Sequence, residues 1–214
     1  MNREFKHTIV RRPGRSLANG ITSAPQLGQP VYENAIKQHD NYIEVLKSCG
    51  VDVTILEANE EFPDSCFVED NALCTPNNVA IISRPGAPTR QREVLLPDLR
   101  EALAKFYDHI EQIEVPGTIE PGDIMMVGDL YMIGLSDRTN EEGANQMISI
   151  LEKYGMRGQK VAMKDMLHFK TGVAYIENNT IVVLDTFASN PAFDSFEKVI
   201  VPSDEAYAAN SIWI

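Results

Sequence analysis

The densest polar stretch of the sequence is FPDSCFVEDN at 62–71, where Asp64, Glu69 and Asp70 crowd around Phe67. Carboxylates this close repel one another unless they point into water or surround a cation. The alternating Asp/Asn spacing of a calcium-binding loop is absent. A planar guanidinium is the other good partner, because its parallel N–H donors match carboxylate oxygens two at a time. Composition leaves both a solvated acidic loop and a cation site open. A second acidic point is IEPGD, with Glu120 and Asp123 in a Pro-Gly turn ahead of an apolar run. Arg138, in SDRTN, follows another apolar run, and taken alone it is equally a surface cation. His168, in MLHFKTG, is one of four histidines and lies in an apolar setting. Both a structural role and an acid–base role are open to it.

The elements around these residues repeat. Two short β-rich runs about a turn, a helical stretch and one more strand recur from Asn71 onward. In the first copy NALCT and NVAIIS flank Pro76, Asn77 and Asn78, followed by a helical 89–107 and the strand HIEQIEV. In the second, DIMMVG and LYMIGLS flank Gly128-Asp129. Asn140 then caps a helix running to Tyr154, with Glu141 and Glu142 in its first turn and Gly155 as terminator, and QKVAMKD closes the copy. The third has TGVAYIE and TIVVLDT about Asn178-Asn179, a short helix near NPAFDSF and the strand KVIVP. A partial copy precedes them: a strand at 6–12, an amphipathic helix at 31–49 and VDVTILE. NSIWI, at 210–214, reads as the first strand of a further hairpin. A doubly wound sheet would place helices after single parallel strands, whereas here hairpins alternate with helices. The expected fold is therefore α/β, with ββαβ units in a radial or ring-like arrangement. Such a ring brings the loops entering each hairpin to one central place, and the acidic loop, the EPGD turn and His168 all stand at such entries.

Length and composition fit one globular domain over 1–214, with 43% hydrophobic and 23% charged residues. No run approaches a membrane span and the N-terminal residues lack a signal-type apolar region, so a cytoplasmic location is expected. A net charge of −12 argues against nucleic acid and favours approach of a cationic small molecule. Cys49, Cys66 and Cys74 are an odd number without metal-ligand spacing, so neither a disulfide framework nor a structural metal is expected. An apolar NSIWI edge left unpaired is something folded chains avoid. This predicts truncation of a longer ancestor, and a homodimer is one way to cover the exposed faces.

FPDSCFVED, RPGAPTRQRE, EPGD, LSDRTN, LHFKTG and YAAN occur in one order, and together they resemble the dimethylarginine dimethylaminohydrolases of the guanidine-modifying superfamily. The resemblance runs from His7 to the last residue. It implies a five-unit pentein-type α/β propeller, of which this chain would hold about four units and an incomplete final one. It also implies hydrolysis of methylated arginine to citrulline and an alkylamine through a cysteine thiouronium intermediate, without a cofactor. By motif, His168 would be the general acid and base and Glu120 the carboxylate beside the reacting guanidinium. Asp64, Phe67, Glu69 and Asp70 would bind substrate, Arg90 and Arg138 would fix its α-carboxylate, and Ile21 would belong to a mobile lid. The family's nucleophilic cysteine lies near its C-terminus and has no counterpart here, so the chain alone is expected to be inactive. A deiminase acting on arginine or another guanidino compound, and a non-enzymatic guanidino-binding remnant, are the competing readings.

Overall fold

The computed structural model describes residues 5–163 and 166–214. It opens with β1 (His7–Arg11), α1 (Tyr32–Ser48) and β2 (Asp52–Leu56), and the strands pair in parallel. β3 (Ala72–Cys74) and β4 (Val79–Ile82) form a hairpin, and α2 (Pro97–Leu103) leads to β5 (His109–Gln112), which pairs in parallel with β4. β6 (Ile124–Val127), β7 (Leu130–Leu135), α3 (Glu141–Lys153) and β8 (Arg157–Ala162) repeat that order. After the short α4 (Phe169–Gly172), β9 (Val173–Glu177), β10 (Thr180–Leu184) and β11 (Glu197–Val201) repeat it again, with a 3-10 turn at Pro191–Phe193 in place of the helix.

Turn chemistry sets the hairpins. Asn78, Gly128, Asn178 and Asn179 all have positive φ, a conformation that asparagine and glycine tolerate and branched residues do not. The Asn140 side chain accepts from the Gly143 N–H at 2.8 Å, satisfying one of the orphan donors at the start of α3.

The core lies in the seams between successive sheets, and β4 shows why its sequence reads VAII without alternation. Val79 and Ile81 pack with Ile119, Ile124, Ile133, Met147 and Leu151 of the following unit. Ala80 and Ile82 pack with Leu56, Leu99 and Leu103 on the other side. With a side-chain period of two, a strand buried on both faces serves two cores. β7 does the same, Tyr131 and Ile133 facing one seam and Met132 the next. Each fully buried isoleucine contributes roughly 1.5–3 kcal/mol by leaving water.

Three expectations are corrected. The helix read at 89–107 is broken into 3-10 turns at Pro88–Arg90 and Glu93–Leu95 and the short α2. Pro97 lacks an N–H and forces Leu96 into extended backbone, so α2 starts afresh. NSIWI forms no strand; Ile212, Trp213 and Ile214 instead border a small cleft with Phe5, His7, Tyr42, Leu46 and Val51, and Ile212 stays 66% exposed. The strand expected at 159–165 ends at Ala162, and its last two residues lie outside the described residues. Among the described residues no helix is long and apolar enough to cross a membrane.

Candidate active site

The irregular segments entering three successive hairpins meet. Asp70 lies in the 3-10 turn (Val68–Asn71) before β3, Glu120 opens the turn before β6, and His168 caps α4 before β9. One side-chain oxygen or nitrogen from each lies within 4.8 Å of the other two. Glu120 is almost wholly buried, and the His168 side chain keeps only 16% of its exposure.

His168 is held from both sides. Its Nε2 is 3.5 Å from Glu120 Oε2 and its Nδ1 is 3.4 Å from Asp123 Oδ1, close for charge pairing but long for a hydrogen bond, and Nδ1 has no closer partner. Burial opposes a charge on the ring, yet Asp123, Asp70 and Glu120 together raise its pKa above the ordinary 6.5. Burial, then the neighbouring Asp70, raises the pKa of Glu120, against the pull of the Ala87 N–H, Arg90 and His168. Glu120 Oε1 accepts from Gly86 N at 2.9 Å and Ala87 N at 3.3 Å, which fixes the carboxylate. Gly122 is required where these groups converge, because a Cβ there would lie 2.9 Å from His168 Cγ and 3.0 Å from Asp70 Oδ1.

The two arginines have different surroundings. Arg90 is buried, and all its nitrogens donate to the protein: Nε and Nη2 to Glu93, Nη1 to Asp70 at 2.7 Å, and Nη2 also to the carbonyls of Asp64 and Phe67. Arg90, expected to fix a ligand carboxylate, is placed here against Asp70 at the edge of the cluster. Among the described residues the Arg138 guanidinium makes no hydrogen bond, and its Nη1 lies 3.8 Å from Glu120 Oε1. It is half-buried and open to a ligand.

The acidic loop likewise divides. Asp70 joins the cluster. Asp64 instead accepts the Ile21 N–H on both oxygens, at 3.0 and 3.2 Å, and Glu60 accepts the N–H groups of Arg15 and Ser16 at 2.9 and 2.8 Å. Two carboxylates thus clasp the segment 15–21 by its main chain. Ile21 remains 48% exposed and, with Gly20, Phe62, Asp64 and Glu93, lines a cleft of about 420 Å³. That cleft does not reach the imidazole, and the two connect through Glu93 and Arg90. Phe67 is exposed, and Glu69 turns outward to pair with Lys170.

Several contributors were not assigned from sequence. Asp123, fully buried, accepts from Ser136 Oγ at 2.7 Å, Thr139 Oγ1 at 2.6 Å and Phe169 N at 2.9 Å. Its spacing from Glu120 in EPGD was the available signal. Glu93 carried none beyond its place in RQRE. A divalent cation could bridge Asp70, Glu120 and His168, but Arg90 already meets part of Asp70's charge and backbone donors occupy one Glu120 oxygen. What remains open suits a planar guanidinium better than a compact ion.

Comparison with known proteins decides the family. The family model described as N,N dimethylarginine dimethylhydrolase, eukaryotic, matches residues 22–189. The N(G),N(G)-dimethylarginine dimethylaminohydrolase of Pseudomonas aeruginosa is 51% identical over 211 residues, 98% of this chain and 82% of the relative. The chain belongs to the dimethylarginine dimethylaminohydrolase family. A solved structure of that Pseudomonas family member, a variant complexed with citrulline, superposes with a TM-score of 0.94, covering 98% of this chain and 81% of that one at 51% identity. The N-terminal domain of ArgZ, an arginine dihydrolase from cyanobacteria, shares only the fold, at 15% identity and a TM-score of 0.84 over 97% of this chain and 80% of that one. The dimethylaminohydrolase family thus has here the mixed α/β architecture of small successive sheets read from the repeats.

Proposed function

We propose that this chain binds Nω-methylated arginine, asymmetric dimethylarginine or the monomethyl form, and carries the acid–base machinery for its hydrolysis to citrulline and an alkylamine. The observation that carries this reading is the meeting of Asp70, Glu120 and His168 from equivalent loops, with Arg138 uncommitted beside them. Asp70, Glu93, Glu120 and Asp123 outnumber Arg90 and Arg138, so the site lacks a cation, and a substrate guanidinium supplies it. Asp70 and Glu120 face that guanidinium, and Arg138 takes the α-carboxylate. Ile21, in the adjoining cleft, would close over the site when ligand is bound, and Phe67, Asp64 and Glu69 lie towards its rim.

A thiolate adds to the guanidinium carbon, and imidazolium His168 gives its proton to the departing amine as the C–N bond breaks, leaving a thiouronium. Neutral His168 then takes a proton from water, whose oxygen adds to the same carbon, and the thiolate leaves from citrulline. The chemistry calls for no cofactor. None of the three cysteines is suited to the attack. Burial pushes the Cys66 thiol up to about 11, and Cys74 in β3 and Cys49 at the end of α1 stand outside the cluster. These 214 residues therefore bind without turnover unless a thiol is supplied to them. Three free cysteines fit a reducing, cytoplasmic location.

The test is calorimetric binding of asymmetric dimethylarginine, followed by citrulline release from this chain and from the same chain joined to the residues of the Pseudomonas relative that lie beyond the match. Binding in both and turnover only in the second is expected. Equal or tighter binding of unmethylated arginine would move the reading to the deiminase branch, and absence of binding would overturn it.

A further inference from the structure

The loop between β7 and α3 touches both ends of the ligand just placed. Ser136 Oγ donates to Asp123 Oδ2 at 2.7 Å and accepts the N–H groups of Arg138 at 3.0 Å and Thr139 at 3.1 Å. A hydroxyl offers one donor and two acceptor sites, so its capacity is filled. Thr139 Oγ1 donates to the same Asp123 oxygen and accepts from Glu120 N at 3.2 Å, but it has no contact with the Arg138 backbone. The other Asp123 oxygen is the one facing His168. Gly86 closes the arrangement from behind, since a Cβ there would fall 2.4 Å from the Arg138 carbonyl oxygen.

We propose that Ser136 is a positioning residue that ties the backbone of Arg138 to the carboxylate behind His168, so that seating a ligand's α-carboxylate and orienting the imidazole are one event. The identity of that ligand rests on the methylarginine reading. The consequence is a specificity device. A guanidine without an amino-acid end occupies the site without drawing on the link, so amino-acid guanidines gain both affinity and a correctly aimed histidine.

The experiment uses the 214-residue chain and needs no turnover. Calorimetry gives the Kd for asymmetric dimethylarginine and for N,N-dimethylguanidine, while ring-nitrogen NMR follows His168, its signals assigned by their loss in His168→Gln. Ser136→Ala is expected to weaken dimethylarginine roughly tenfold, the scale of a lost buried hydrogen bond, to leave dimethylguanidine within about twofold, and to displace the His168 ring signals and their titration midpoint. Ser136→Thr, which keeps the hydroxyl, restores both readouts, and Asp137→Ala, exposed and next in sequence, moves neither. Should the alanine variant fail to fold, Ser136→Cys, near-isosteric with a weak donor, carries the same expectations. Loss of affinity with His168 signals in place would reduce Ser136 to a support for Arg138, and displaced signals with full affinity to a support for Asp123. Either result overturns the link. A wild-type chain that binds no dimethylarginine would overturn the functional reading first, and the link with it, before any variant is made.

Discussion

The turn at 88–93 and the loop at 136–139 each present one arginine, and the two fates differ. Arg90 is spent on Glu93, Asp70 and two carbonyls, while Arg138 is held by its backbone and leaves its guanidinium uncommitted. Burial separates them. A guanidinium taken from water must fill its donors with protein acceptors, whereas one at the edge of the site keeps its donors for a ligand. Sequence motifs assign both residues to the same task, but their surroundings differ, and we divide their proposed roles accordingly.

Breaking the comparison should give the largest effect at the buried arginine. Arg90→Ala leaves Asp70 and Glu93 buried without their cation, and a loss of about 3–5 kcal/mol in chemical denaturation is expected. A change below about 1 kcal/mol would mean that Arg90 is not the structural partner described. Arg138→Ala should do the reverse, leaving stability within about 1 kcal/mol while dimethylarginine affinity falls roughly 10- to 100-fold, as for a lost charge-assisted pair. Denaturation and calorimetry on both variants check the contrast, which fails if Arg90→Ala keeps its stability or Arg138→Ala loses stability along with affinity. Next comes His168, faced by Asp123, Asp70 and Glu120. Its NMR midpoint should lie above the ordinary 6.5. Because the folded value is the raised one, the stabilisation from its charge is complete below about 6.5 and fades as pH rises through the elevated midpoint. Thermal melts across that window should show the decline in wild type and lack it in His168→Gln. The smallest effect is expected at Cys66→Ala, with binding within about twofold, since this thiol is held protonated by burial and takes no part in the cluster.

How much of this was legible in the sequence follows from what a sequence encodes locally. The three ββαβ copies were readable because turn residues, a capping asparagine and apolar runs act within a few positions. The convergence of Asp70, Glu120 and His168 was readable only through the repeat, which places equivalent entries together. Partnerships that cross between units were not. Arg90 holding Asp70 across 20 positions and Asp123 facing His168 from the neighbouring unit depend on partners well along the chain, and no local pattern distinguishes such residues from solvated ones. NSIWI misled because an apolar run does not by itself specify strand pairing, and Ile212 and Ile214 remain exposed.

The clasp on 15–21 carries a different kind of lesson. Glu60 and Asp64 grip main-chain N–H groups, which every residue but proline possesses. The fastening is therefore indifferent to the identity of the side chains it carries, and Ile21 can be exchanged without loosening it. Only Gly20 is excluded from such drift, because a Cβ there would sit 2.6 Å from Asp64 Oδ1. The arrangement separates how the segment is held from what it presents, leaving the exposed Ile21 side chain free to vary while the main-chain grip persists.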